Sequence, residues 1–177
     1  LEVPAKSREA MTNEQWREIP AFPKYRVSSL GRVENTKTGR LLIPSKNQEG
    51  HLKVNLMRDG EAHTRTVNHL VAKLFLPHPE RRDFISVIHL DGDKSNCRAS
   101  NLAWRPRYFA IKYHQQFGLR SYLEMRMPLV DKKTGRQYSS AQEAVVDHGL
   151  LLSDIVQSVH NRTFVWPTYQ EFTSNSV

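Results

Sequence analysis

The sequence predicts an α+β fold built as a string of small modules. Short runs that alternate polar and apolar residues between Gly- and Ser-containing turns fill the first third of the chain, which is the pattern of small antiparallel sheets. Leu70, Val71, Leu74 and Phe75 then fall at helical spacing. Near the C-terminus, Ser140 and Glu143 open a helix, Gly149 stops it, and a second short apolar helix follows. At 177 residues and 38% hydrophobic content, the chain can bury cores of modest size.

Charge narrows the partner. Lys and Arg number 26 against 18 Asp and Glu, a formal net charge of +8, so a polyanion is favoured, nucleic acid first. No apolar run approaches the roughly 18 residues of a membrane span, so no membrane partner is expected. Cys97 is the only cysteine, which excludes an internal disulfide framework and any cysteine-based zinc knuckle, and suits a cytoplasmic protein. Residues 1–12 are expected to be a disordered leader or expression remnant, with Met11 a candidate native start.

The elements follow in order. In an N-terminal β-rich module, residues 13–60, Tyr25 with Val27, then Val33, Leu41 and Leu42 mark small antiparallel strands around Gly31 and a Lys37–Arg40 turn. GHLKVNL from Gly50 and HTRTV from His63 form a second hairpin about Arg58, Asp59 and Gly60. A polar face carrying Lys46, His51, Lys53, Asn55, Arg58 and Arg65 is expected there, with Lys53, Arg58 and Arg65 as nucleic-acid contacts; a two-stranded ribbon fits a DNA major groove. A second module, residues 61–115, holds the helix ended by Pro77, in which His69 is a helix residue and not a ligand. It continues with the strand Ile85–Ile88, the loop after His89, and a helix from Arg105. In that helix Tyr108 and Ile111 are expected to face inward, and Arg105, Arg107 and Lys112 to face the nucleic acid. A linker, residues 116–127, adds Arg120 and Arg126. The last module, residues 128–177, reads as a hairpin about Asp131–Thr134, two helices in a helix-turn-helix, and a closing strand over Thr163–Trp166. Ser153 is expected to cap the second helix.

The stretch VIHLDGDKSNCRASNLAW, Val87–Trp104, resembles the centre of phage-type HNH homing endonucleases: a histidine after a short strand, an Asp-Gly turn, and Asn101 before a tryptophan. The likeness extends to the Trp16/Ile19, Tyr25–Val27–Ser28 and Gly31–Arg32–Val33 spacings, which resemble the small module that precedes HNH domains. It also extends to the C-terminal helix-turn-helix repeat, whose second helix enters the major groove in that family, which implies that Ser153, Gln157, Ser158 and Arg162 face nucleic acid. It implies a ββα-metal core in which His89 is the general base and Asn101 staples the loop. It also implies a divalent cation held by an acidic residue before the histidine and by an Asn or His on the following helix. Those two positions are Ile88 and Ala110.

The function expected is therefore a phage-encoded nucleic-acid-binding protein that has lost or weakened cleavage, with His89 and Asn101 vestigial or weak as catalytic residues and no metal cofactor. It would act as a monomer on duplex DNA or structured RNA, such as ribosomal RNA within a ribonucleoprotein. The alternative is an active Mg²⁺-dependent DNA endonuclease or nickase with His89 as base and ligands displaced to Asp91, Asp93 or His114.

Overall fold

The computed structural model describes residues 13–118 and 127–174, and the expected leader, Arg120 and Arg126 lie outside them. Two compact units result. One runs to His89 and resumes over Asp93–Pro106; the other comprises Leu90–Gly92 and the chain from Arg107. Twelve short strands and four helices among the described residues make an α+β fold.

The first unit opens with an antiparallel sheet of β1 (Trp16–Ile19), β2 (Phe22–Ser28), β3 (Val33–Asn35) and β4 (Arg40–Leu41), in that order. A second sheet joins β5 (Ser45–Lys46), β6 (Leu52–Arg58) and β7 (Glu61–Thr66). The β6–β7 turn places Asp59 and Gly60 at φ 54° and 84°. Two successive left-handed residues give the twist a tight hairpin needs, which is why an Asp-Gly pair closes it.

Register corrects the expected polar face. Val54 lies opposite Arg65 and Leu56 opposite His63, whereas Lys53 lies opposite Thr66 and Asn55 opposite Thr64. Side chains alternate between faces, so Arg58 and Arg65 share the face of Val54 and Leu56, away from Lys53 and Asn55.

Helix α1 (Val67–Phe75) ends at Leu76, just before Pro77. Its buried face, Leu70, Val71 and Phe75, packs in one core with Ile19, Phe22, Val27, Val54, Leu56, Val87 and Leu102. Residues on both sides of position 60 share that core, and the 60/61 division falls inside the β6–β7 turn. His69 is half-buried, its ring between Thr66 Oγ1 at 3.0 Å and the Ile85 carbonyl at 3.3 Å.

β8 (Ser86–His89) pairs antiparallel with β9 (Leu102–Arg105), Ile88 opposite Ala103 and His89 opposite Leu102. The helix does not begin at Arg105: that residue ends β9, is 2% exposed, and donates from Nη1 to the Trp104 carbonyl at 2.8 Å. It is thereby removed from the expected contact surface, because strand pairing continues to the residue before Pro106.

In the second unit, α2 (Arg107–Gln116) buries Phe109, Ala110, Tyr113 and Gln116. Tyr108 and Ile111, expected inside, are 58% and 50% exposed. Apolar residues lie on both sides of this short helix, and buried hydrogen bonds set its phase: the Tyr113 hydroxyl donates to the Leu90 carbonyl at 2.7 Å. β10 (Leu129–Asp131) is central between β11 (Gln137–Tyr138) and β12 (Phe172–Ser174). The third strand is thus Phe172–Ser174. Of the expected strand over Thr163–Trp166, only Val165 bridges, to Gln170.

α3 (Ala141–His148) starts as expected, with Ser140 Oγ accepting from the Glu143 amide and the Glu143 carboxylate accepting from the Ser139 amide at 2.9 Å. Gly149 ends it at φ 62°. α4 (Leu152–Asn161) is not capped by Ser153, which lies within its first turn. Gln116 serves instead: Oε1 accepts from the Leu152 amide at 2.9 Å and Nε2 donates to the Leu150 carbonyl at 3.3 Å. A cap supplied from another helix leaves no local signal at the helix start.

Candidate active site and nucleic-acid interface

β8 ends by turning the His89 side chain into the protein, where it and Ile88 are both 0% exposed. The His51 ring packs against it, centroids 5.4 Å apart with the planes 33° from parallel. Cys97 Sγ lies 3.9 Å from His89 Nε2. Burial, followed by the nearby Lys94 cation, holds the His51 imidazole below its ordinary pKa, so this ring is biased to the neutral form.

The loop from Asp93 to Arg98 is shaped by its own polar groups. Asp93 Oδ1 accepts from the Ser95 amide at 2.9 Å and from Ser95 Oγ at 2.5 Å. These bonds favour the carboxylate and lower its pKa. Asn101 Nδ2 donates to the Asn96 carbonyl at 2.9 Å, so Asn101 does staple the loop. The Ala99 amide donates to the Ser29 carbonyl at 2.8 Å, tying the loop to the N-terminal sheet. Gly31, at φ 85°, faces Cys97 so closely that an added Cβ would come within 2.9 Å of Cys97 Cβ. This accounts physically for the glycine of the Gly31–Arg32–Val33 run.

The two groups packed against the His89 ring are poor ligands for a hard divalent cation. Such ions take oxygen donors. The position before the histidine offers a fully buried isoleucine, and the groups against the ring are imidazole and thiol. Among the described residues no three His, Cys, Asp or Glu side chains are gathered as a metal site. Of the displaced ligands expected in the alternative, Asp93 is engaged by Ser95, and His114 Nδ1 lies 3.0 Å from the Ala110 carbonyl of its own helix. Asp91 is exposed.

The expected contact residues divide by burial. In the first unit, Arg58 and Arg65 are exposed, each guanidinium 5.4 Å from the Phe22 ring centre, a geometry that holds two cations beside one another. Lys53 is half-buried on the opposite face beside Asn55, which accepts from Thr64 Oγ1 at 2.8 Å. In the second unit, Arg107, Lys112, Ser153, Gln157 and Arg162 are exposed. Ser158 is not: its Oγ donates to the Thr163 carbonyl at 2.6 Å and accepts from the Phe172 amide at 3.1 Å, so it braces the module from inside. The partnership of His51 with His89 was missed, since a hairpin histidine carries no mark of a neighbour 38 positions away.

Residues 14–57 match the NUMOD4 motif. The chain is 28% identical over 156 residues to the uncharacterized HNH endonuclease L247 of Acanthamoeba polyphaga mimivirus, covering 85% of this chain and 39% of that protein. It is 32% identical over 91 residues to the DNA endonuclease I-HmuI of Bacillus phage SP01, covering 51% of each. H-N-H endonuclease F-TflII of Escherichia phage T5 is 29% identical over 92 residues, covering 52% of this chain and 48% of that one. The chain thus spans about half or less of these curated relatives. In fold it is similar to the solved structure describing DNA binding and cleavage by the HNH homing endonuclease I-HmuI, with TM-score 0.51 and 21% identity over 92% of this chain and 99% of that one.

Proposed function

We propose that the chain, which resembles the phage-type HNH homing endonucleases, binds duplex DNA through exposed cations of both units and has lost or weakened cleavage. The observation that carries this reading is the burial of His89 at 0% exposure beside Ile88, His51 and Cys97. A general base must reach the water it deprotonates. An imidazole enclosed by protein, next to an isoleucine where the family places a carboxylate, fills a core position in place of that task. The exposed basic residues need no such chemistry, because phosphate contacts are electrostatic and sequence-independent.

The relatives' description as DNA endonucleases favours duplex DNA over structured RNA. Binding and cleavage are measured on one set of end-labelled duplexes with Mg²⁺ or Mn²⁺. Shifted but uncut DNA is the expected result. Nicking abolished by His89→Ala, in a variant that keeps its fold, would establish the endonuclease alternative. Stronger competition by structured RNA than by duplex DNA at matched salt would establish an RNA-binding protein.

A further inference from the structure

α2 and the hairpin that follows α4, both in the second unit, expose aromatic rings. Tyr108 is 58% exposed and its ring is nearly parallel to that of Trp166, 17° between planes and 6.1 Å between centroids. Trp166 is set in turn by the buried Phe109, edge to face at 5.7 Å. Phe164 and Tyr169, in the same hairpin as Trp166, are 68% and 59% exposed. The hairpin is closed by the Val165 amide donating to the Gln170 carbonyl and the Tyr169 amide donating to the Val165 carbonyl, both at 2.7 Å.

Two features of this hairpin cost it stability. Tyr169 is held at φ 55°, a conformation that disfavours a bulky side chain and that concentrates at functional sites. Thr168 Oγ1 and Gln170 Oε1 are buried without a hydrogen-bond partner among the described residues, an arrangement that native folds seldom leave uncompensated. Arg107 and Lys112 are exposed on the helix that carries Tyr108, and Arg162 is exposed just before the hairpin. Flat apolar faces beside cations match one chemistry closely: a nucleotide whose base has left its pair, stacking on the ring while its phosphates meet Arg and Lys.

We infer that Tyr108, Trp166 and the neighbouring hairpin aromatics form a stacking platform for unpaired bases. The inference rests on the nucleic-acid-binding reading, and deepens it by specifying a second, non-duplex feature that the protein recognises. Every base presents a π-face, so the platform selects for unpairing and not for sequence.

The test uses the full chain and two oligonucleotide probes, each made as DNA and as RNA. One is fully paired and carries 2-aminopurine in the stack; the other presents the same 2-aminopurine in a single-nucleotide bulge. Binding should quench the bulged fluorophore. Tyr108→Ala and Tyr169→Ala should each weaken the bulged probe by roughly 5- to 100-fold, while the paired probe changes less than twofold and Tyr108→Phe restores affinity. The DNA and RNA arms show which backbone the platform accepts. Absence of quenching overturns the platform, as does equal loss on both probes in variants with unchanged circular dichroism. Self-association abolished by Tyr108→Ala without nucleic acid would assign the surface to a second copy and also overturn it. If the paired probe fails to bind but the bulged one binds, the duplex reading falls and the platform stands.

Discussion

Ser158→Ala separates a bracing residue from a contact residue, and its cost follows from two hydrogen bonds. The Ser158 hydroxyl is the acceptor for the buried Phe172 amide and the donor to the Thr163 carbonyl. Alanine leaves the Phe172 amide buried without a partner, which costs about 2 kcal/mol. It also removes the bond to Thr163, worth about 1 kcal/mol, since that carbonyl lies near the surface and regains water. A loss of about 3 kcal/mol from a unit of this size lowers its melting temperature by roughly 10 °C or more. Gln157→Ala, one residue earlier on the exposed face of α4, should shift melting little but weaken duplex binding. Thermal unfolding followed by circular dichroism, with anisotropy titrations run well below either melting point, reads both. Weakened binding by Ser158→Ala with unchanged melting would refute the reasoning and return Ser158 to the interface.

Other consequences are open to direct measurement. Arg107→Ala and Lys112→Ala should each reduce the slope of log K against log salt by about 1 and leave melting within ~0.5 kcal/mol, whereas Arg105→Ala should mainly destabilise. Gly31→Ala should destabilise by more than ~2 kcal/mol, through both its positive φ and the close Cys97 Cβ; urea unfolding monitored at Trp16 and Trp104 checks this. His51 and His69 are both held below the ordinary imidazole pKa, chiefly by burial. As pH falls below about 6.5 the unfolded chain therefore binds more protons, and stability declines through the folded-state values. Melting scans from pH 8 to 5 should show that decline, and the double variant His51→Gln, His69→Gln should flatten it.

Residues that signal through their neighbours were legible in the sequence. Asp59–Gly60 closes its hairpin, Ser140 and Glu143 start α3, Gly149 stops it, and Asn101 staples the loop after His89, each through partners a few positions away. What escaped depends on partners far along the chain. The phase of α2 turns on Tyr113 meeting the Leu90 carbonyl, the start of α4 on Gln116, and the inward turn of Ser158 on Phe172. A polar residue buried against a distant backbone group looks, in sequence, like one that faces solvent. Arg105 shows the same blindness: a cation beside a proline resembles a helix start, and strand pairing with Ser86 decides otherwise.

The bond from the Ala99 amide to the Ser29 carbonyl, and the lack of room between Gly31 and Cys97, bear on how such a chain can be rearranged over time. A segment inherited as a cassette must carry its packing surfaces with it. Here the loop after His89 takes its shape partly from the sheet of β1–β4, and β6 and α1, on either side of β7, lend residues to the same core. A crossover within residues 13–106 would pair a loop with a sheet not shaped for it.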